Sequence, residues 1–294
     1  MNKKVLLVGG SGYLGRNLKY ALAKKGYDVT ITGTREPSEA GYIKINLEKP
    51  STFENVARTN YYMVIVLASK IRSLGTQQIG HPDFEINVNG LGQFLDFIRS
   101  KEITNKLVYM SSMTVYSPEN NSPVEENMSL APISTYGLSK KVAEDLIRFA
   151  SHHSSIKNMI LRLPGIYGGN RQGGFIYNTI QKIKRSEKVQ INTTGLGYWE
   201  AIHIDDLVDM IIQLLSNYGW QEKVETYNLG YGEETDICQT GKFIGEYLGA
   251  SDLIEILDNT GYVQLYMANQ KVKRLTELKN DYYSRLKTYI DSLL

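Results

Sequence analysis

Tyr136 and Lys140 stand four residues apart in the stretch STYGLSK (134–140). On a helix that spacing puts the phenol and the ammonium on one side of a single turn. A tyrosine has a pKa of about 10 and is a poor base at neutral pH. A nearby ammonium favours the phenolate, as does the positive nicotinamide of an oxidised cofactor. With 21 tyrosines and 33 lysines and arginines in the chain, chance could produce one such pair, so the surroundings must decide. Ser111 and Ser112 follow the apolar run KLVYM (106–110). A hydroxyl there can hold a substrate oxygen while the phenol gives or takes its proton. Lys140 can also bond the nicotinamide ribose, and the nicotinamide carries the hydride.

A cofactor for that chemistry has a place at the N-terminus. The run VLLV (5–8) leads into GGSGYLG (9–15), in which Gly9, Gly12 and Gly15 stand three apart and Gly10, Gly12 and Gly15 satisfy G-x-G-x-x-G. Such a loop lets backbone approach a pyrophosphate, and the following helix offers free N–H groups and the positive end of its dipole. Gly9, Ser11, Gly12, Tyr13, Leu14 and Gly15 are therefore the expected dinucleotide contacts. The second strand ends in Thr32-Gly33-Thr34-Arg35, without the acidic residue that holds an NAD ribose. An arginine fork suits a 2′-phosphate, so Arg35 points to NADP(H), with NAD(H) the alternative if Arg35 is merely solvated and Glu36 does the acidic work.

The elements that must position these residues alternate. Apolar runs at 5–8, 29–32, 42–45, 62–67, 106–110 and 158–163 are separated by helical patterns, Leu14, Leu18, Ala21 and Leu22 in 12–25 and Phe84, Val88, Leu91, Leu95 and Ile98 in 83–99. Strands alternating with helices give a parallel sheet covered on both faces. The face carrying Tyr136 and Lys140 continues through Ala143 and Ile147. Beyond GGNRQGG (168–174) come an expected helix at 175–186, a strand near 188–191, a helix over 203–215 with Asp205 as N-cap, a strand at 226–230 and a helix at about 235–248. The fold class is a Rossmann-type doubly wound α/β sheet with a small C-terminal α/β lobe. Residues 1–168 form the dinucleotide-binding domain, with 200–230 returning to it, and 169–199 and 231–294 form the substrate lobe.

Composition sets outer limits. Of 294 residues, 42% are apolar, enough for a large core, and the formal net charge of +2 gives no reason to expect nucleic acid as a partner. The single Cys238 has no partner for an internal disulfide and reads as a small buried apolar residue. No His/Cys cluster has metal-ligand spacing, so no metal is expected. The short VLLV run ends in glycines rather than a cleavage site, and no stretch approaches the ~18 apolar residues of a membrane span. The reading is a cytoplasmic protein without membrane contact.

Taken together, GGSGYLG (9–15), LAS (67–69), NVNG (87–90), SSMTVY (111–116), Tyr136-x-x-x-Lys140, the IYGG after Pro164, HIDD (203–206) and NLG (228–230) resemble the extended short-chain dehydrogenase/reductase family, the NAD-dependent sugar epimerases and dehydratases. The resemblance implies Ser112 as the substrate-holding hydroxyl, Tyr136 as acid/base and Lys140 as its tuner. It implies Asn46, Leu67, Ala68 and Pro164 beside the cofactor, and Asn87 supporting the site from its helix. On the substrate side it points to Asn87 and Ser112, with Arg171 and Trp199 as further candidates. It also implies a homodimer through the helices at about 83–99 and 136–150.

The departures from that pattern narrow the function. Dehydratases of the family carry an acidic pair after the hydroxyl residue, where this chain has Met113 and Thr114, neither a competent acid or base. A basic residue that commonly grips the substrate diphosphate four residues before H-x-D-D is here Trp199, and a second, in an R-x-G-D stretch, has no counterpart in LDNTGYVQLYMANQ (257–270). Arg171, Lys182, Lys184 and Arg185 are the substitutes on offer. His203 and Asp205 read as structural ties between the lobes. The leading function is an NADP-dependent reductase of a keto-sugar, a nucleotide-linked 4-keto-6-deoxy sugar, with Tyr136 donating the proton. The alternative is an NAD-dependent nucleotide-sugar epimerase; a non-catalytic NAD(P)-binding sensor is the reading of another class.

Overall fold

Leu6, Leu7, Val64, Ile65, Leu107, Val108, Ile160 and Leu161 are all fully buried, and they belong to four adjacent strands. Neighbours along each strand face opposite sides. Leu7, Ile65, Val108 and Leu161 join one core, and Leu6, Val64, Leu107 and Ile160 join another. Two cores on two faces of one sheet explain why these runs lack polar alternation. Each such side chain contributes about 1.5–3 kcal/mol by burial.

The computed structural model describes residues 3–37, 40–71, 82–193, 198–258 and 265–294. The strands are β1 (Lys4–Val8), β2 (Asp28–Gly33), β3 (Tyr42–Lys44), β4 (Met63–Val66), β5 (Lys106–Ser112), β6 (Lys157–Leu163), β7 (Gly165–Tyr167), β8 (Val189–Asn192), β9 (Ala201–His203), β10 (Val224–Asn228) and β11 (Ile254–Asp258). The helices are α1 (Tyr13–Lys24), α2 (Leu91–Ser100), α3 (Thr135–His152), α4 (Phe175–Lys184), α5 (Ile204–Asn217), α6 (Ile237–Tyr247), α7 (Gln270–Lys273) and α8 (Tyr282–Asp291).

Seven parallel strands form the main sheet in the order β3-β2-β1-β4-β5-β6-β10. The order reverses between β1 and β4, so the crevice at their carboxyl ends is the place for a ligand. Helices α1 and α5 cover one face through Leu18, Leu22, Leu207 and Ile211, and α2 and α3 cover the other through Phe94, Ile98, Ala143 and Ile147. The smaller lobe packs α4 and α6 on the β8–β11 pair, while β7 pairs with β9 beneath the crevice.

Four features differ from the sequence expectation. The helix expected over 83–99 opens with a π-helical turn, Glu85–Gly90, before α2 begins. The strands β7, β9 and β11 were not expected; three or five residues carry too little periodicity to be read. The N-cap of α5 is His203, whose Nδ1 accepts from the Asp205 N–H at 3.3 Å, so Asp205 is a first-turn residue rather than the cap. The tail packs on β9 and β10 as well as on the small lobe, through α8 and α7. The stretch 257–270 lies partly outside the described residues.

Candidate active site

The S-T-Y-G stretch places the phenol by capping and by a missing side chain. Ser134 caps α3 by accepting from the Gly137 N–H at 3.1 Å, which fixes the helix start one residue before Thr135. A Cβ on Gly137 would stand 2.3 Å from the Thr114 carbonyl oxygen. Only glycine lets the first turn of α3 rest on the short 3-10 turn Met113–Val115 that follows β5. Tyr136 is thereby brought against Ser112.

Ser112 is oriented by Thr114. Its Oγ accepts from the Thr114 N–H at 3.2 Å and from the Thr114 hydroxyl at 3.0 Å. With its lone pairs engaged, its own O–H is left to donate on the crevice side, where the Tyr136 phenol is its partner. Burial pushes the Tyr136 phenol up to about 12; hydrogen bonds with Ser69 and Ser112 oppose this and the Asp83 charge adds to it. Tyr136 therefore holds its proton at neutral pH.

Lys140 is fully enclosed. Its Nζ donates to the Met110 carbonyl at 2.7 Å and sits 4.7 Å from the centroid of the Tyr109 ring and 5.8 Å from that of Tyr136. Burial lowers its pKa to about 7, and the Glu144 carboxylate one turn on opposes the fall. Desolvation dominates both groups and favours the neutral form of each, against the pull of the ammonium toward the phenolate.

Asn87, in the π-helical turn, uses its whole amide within the protein. Its Oδ1 accepts from the Ser69 hydroxyl at 3.1 Å and the Lys70 N–H at 2.9 Å; its Nδ2 donates to the Lys70 carbonyl and to the Ser139 hydroxyl, each at 3.0 Å. It braces the loop after β4 against α3, which suits support of the site rather than direct contact with substrate. Ser69, which bonds both Asn87 and Tyr136, is a site residue the sequence reading passed over, although it closes the LAS stretch.

At the other end of the crevice, Gly9 has φ of +82° and its Cβ would meet the Ala68 backbone at 2.6 Å, so the loop turns tightly between β1 and β4. No side chain caps α1, and the first intrahelical bond is Arg16 N–H to Gly12 carbonyl at 3.0 Å. The N–H groups of Tyr13, Leu14 and Gly15 thus precede the helix ladder, and beside Gly12 the nearest atom to an added Cβ is the Gly9 carbonyl, at 3.3 Å. This open cradle at a helix N-terminus fits a dinucleotide pyrophosphate.

A cavity of about 570 Å³ joins the two ends, with Leu14 and Leu67 on its cofactor side and Ser112, Tyr136 and Lys140 at its floor. Pro164, Arg171 and Trp199 also line it, as do Thr114, which the sequence marked as neither acid nor base, and Phe175 and Tyr198, which the sequence reading did not single out. Trp199 packs edge-on against Phe175 with centroids 5.4 Å apart. Arg171 donates to the Ile166 carbonyl at 2.7 Å. Lys182, Lys184 and Arg185 are exposed and do not line the cavity. Arg35 is exposed beyond the end of β2, and Asn46 follows β3, its Oδ1 accepting from the Glu48 N–H at 3.0 Å. Neither Arg35 nor Asn46 lines the cavity.

Asp206 rather than Asp205 ties α5 to α8. Asp206 is buried, pairs with both Arg285 nitrogens Nε and Nη2, and accepts from the Tyr231 hydroxyl at 2.7 Å, whereas the Asp205 side chain is 65% exposed. The reason is the cap: with His203 at the helix start, position 206 turns inward and 205 outward.

Known proteins agree with this construction. The chain is 28% identical over 257 residues to a Methanocaldococcus jannaschii protein assigned as a UDP-glucose 4-epimerase, covering 83% of this chain and 82% of the relative. It is 24% identical over 313 residues to UDP-glucose 4-epimerase 3 of Oryza sativa subsp. japonica, covering 92% and 83%. Its fold matches that of MoeE5, solved with UDP-glucose and NAD, at a TM-score of 0.80 and 20% identity over 99% of this chain and 100% of the other. The profile of the NAD dependent epimerase/dehydratase family matches residues 5–230. With its parallel sheet, glycine loop and Ser-Tyr-Lys floor, the chain belongs to the NAD-dependent epimerase/dehydratase family of extended short-chain dehydrogenase/reductase enzymes.

Proposed function

We propose that the protein is an NAD-dependent nucleotide-sugar 4-epimerase, which oxidises a sugar carbinol and re-reduces the same carbon on its other face. The observation that carries the reading is the Ser112–Tyr136–Lys140 floor of a cavity open to the glycine loop. The epimerase reading is preferred to the reductase expected from Arg35 because it is supported by the epimerase names of the two relatives above, each aligned over more than four-fifths of this chain.

A bound nicotinamide supplies the hydride acceptor and then the donor. The Ser112 O–H, turned into the cavity by Thr114, holds the substrate oxygen. Tyr136, which burial keeps protonated, would first give that proton to solvent under the added positive charge of a bound oxidised nicotinamide; the phenolate then takes the hydroxyl proton as the C–H hydride leaves and returns it when the hydride comes back, so protons and electrons balance over the cycle. Lys140, one turn behind, supplies positive charge to the phenolate. Met113 is buried and Thr114 is bonded to Ser112, so neither provides the acid–base pair of a dehydratase.

The second reading, the NADP-dependent keto-sugar reductase, is favoured by one observation: Thr34 and Arg35 are exposed at the end of β2, and the next carboxylate, Glu36, is engaged by Lys44. The expected homodimer is part of the proposal; Phe149 on α3 is 66% exposed, and sedimentation reads the assembly.

The test is to incubate the protein with NAD and UDP-glucose, then with UDP-galactose and the corresponding pentoses, following products by NMR. Approach to one mixture from both sides supports epimerisation. No interconversion, with consumption of NADPH on a UDP- or dTDP-4-keto sugar, selects the reductase.

A further inference from the structure

Glu144 is a buried carboxylate that the proposed reaction does not use. It follows Tyr136 and Lys140 on α3 at positions i, i+4 and i+8, so the three lie in file along one face of the helix. Its surroundings form a closed clamp. Arg162 of β6 donates from Nε to Oε1 at 3.0 Å and from Nη2 to Oε2 at 2.7 Å. The Ser111 hydroxyl of β5 donates to Oε1 at 2.5 Å. Arg148, one turn further along α3, stands 3.7 Å from Oε2. Arg162 is itself fixed by the Tyr116 hydroxyl and the Glu126 carbonyl, both at 2.9 Å.

The clamp touches the catalytic set at two points. Ser111 is the residue before Ser112, and the Met110 carbonyl that receives Lys140 is the residue before that. One carboxylate thus fixes the end of β5 and stands one turn behind the ammonium. The groups facing Lys140 are Tyr136 and Glu144 on its own helix and Tyr109 and the Met110 carbonyl on β5; Asp83 faces Tyr136. Glu144 is the anion on that roll one turn from Lys140.

We infer that Glu144 is a positioning residue for the proton transfer: held by Arg162 and Ser111, it keeps Lys140 cationic behind Tyr136 and keeps the Met110–Ser112 strand end in register. The inference rests on Ser112, Tyr136 and Lys140 being the catalytic set, and not on which sugar is turned over.

A purely structural clamp would lower activity equally at all pH values. A positioning role moves the titration of Lys140. Since Glu144 favours the charged form, Glu144→Gln brings Lys140 deprotonation to lower pH by about one unit, a tenfold change in the ratio of its two forms. Lysine side chains labelled with 13C at Cε read this directly by NMR, with Lys140→Arg identifying the signal. In turnover, the alkaline limb of kcat/KM moves down in pH with the NMR titration, KM for the sugar stays within about threefold, and Glu144→Asp restores the wild-type limb. Glu144→Gln leaves Arg162 without its carboxylate, so Glu144→Gln/Arg162→Gln, with no buried unpaired charge, is measured beside it. An unmoved Lys140 titration in a folded variant overturns the inference, as does failure of both variants to fold, which would make the clamp structural only. A protein inactive on every sugar, with Lys140 moving as stated, rejects the proposed reaction and leaves Glu144 in its role.

Discussion

The α-carbon of Gly137 lies so close to the Thr114 carbonyl oxygen that a methyl group there would come to 2.3 Å. This contact between the start of α3 and the turn after β5 sets the distance between phenol and serine. Helix propensity favours Ala over Gly by about 1 kcal/mol. Here both sides of the contact are backbone, so Gly137→Ala must lift the helix start. The expected outcome is a lower melting temperature and a fall in kcat of about 100-fold, the cost of misplacing a reacting group by roughly 1 Å. An Ala variant with wild-type kcat and higher stability would show that the contact does not set the site.

The tyrosine and lysine separate activity from stability. Tyr136→Phe removes the proton carrier and lowers kcat by about 10²–10⁴-fold with cofactor affinity unchanged. Lys140→Met also loses activity but gains stability at neutral pH. The sign follows from the lowered folded pKa of about 7 against an unfolded value of about 10.4. Between those values the unfolded chain binds the extra proton, so wild-type stability rises as pH climbs from about 7 to about 10. The advantage of Lys140→Met therefore shrinks over that window. Chemical denaturation at pH 7 and pH 9.5 measures it; a constant difference would mean that Lys140 titrates alike in both states.

The proposed role of Arg35 as a 2′-phosphate contact makes a prediction about cofactor choice alone. Its guanidinium is exposed and does not line the catalytic cavity. Arg35→Asp is expected to weaken NADPH binding by at least about tenfold, near 1.4 kcal/mol, and to leave NADH within about threefold. Fluorescence titration of nucleotide-stripped protein reads both. Equal affinity of the variant for NADPH and NADH, unchanged from wild type, would return Arg35 to the role of a solvated side chain.

What could be read ahead of the structure was local. Tyr136 and Lys140 declare themselves by an i, i+4 spacing, and the glycine loop by its place between a strand and a helix. The six apolar runs announce the buried strands because both faces are covered. What stayed hidden is set by distant partners. Gly137 is unremarkable until Thr114, 23 positions earlier, is found against it. Ser69 gains its meaning from Asn87 and Tyr136, and Glu144 from Arg162. The three-residue strands β7 and β9 exist because they pair with each other. Asp205 and Asp206 are indistinguishable in HIDD until the cap at His203 fixes which one turns inward.

That choice of Asp206 has a consequence in acid. Burial would raise its pKa, but the Arg285 fork, the Tyr231 hydroxyl and Asn280 hold it below the ordinary carboxylate value. A folded pKa below the unfolded one, about 3.9, means that the unfolded chain takes up the proton first as pH falls. The stability from this pair is fully present above about pH 5 and is lost as pH drops through the folded value. Arg285→Met removes the cation and leaves the carboxylate between Tyr231 and Asn280, which costs about 1–3 kcal/mol at pH 7. Asp206→Asn costs a similar amount at pH 7. As the pH is lowered from about 5 toward 3, wild type loses stability faster than Asp206→Asn, and the two denaturation curves converge. Urea unfolding at pH 7, 5 and 3.5 measures this. A gap between wild type and Asp206→Asn that stays constant across that range would show that α5 and α8 are held together without the Asp206 charge.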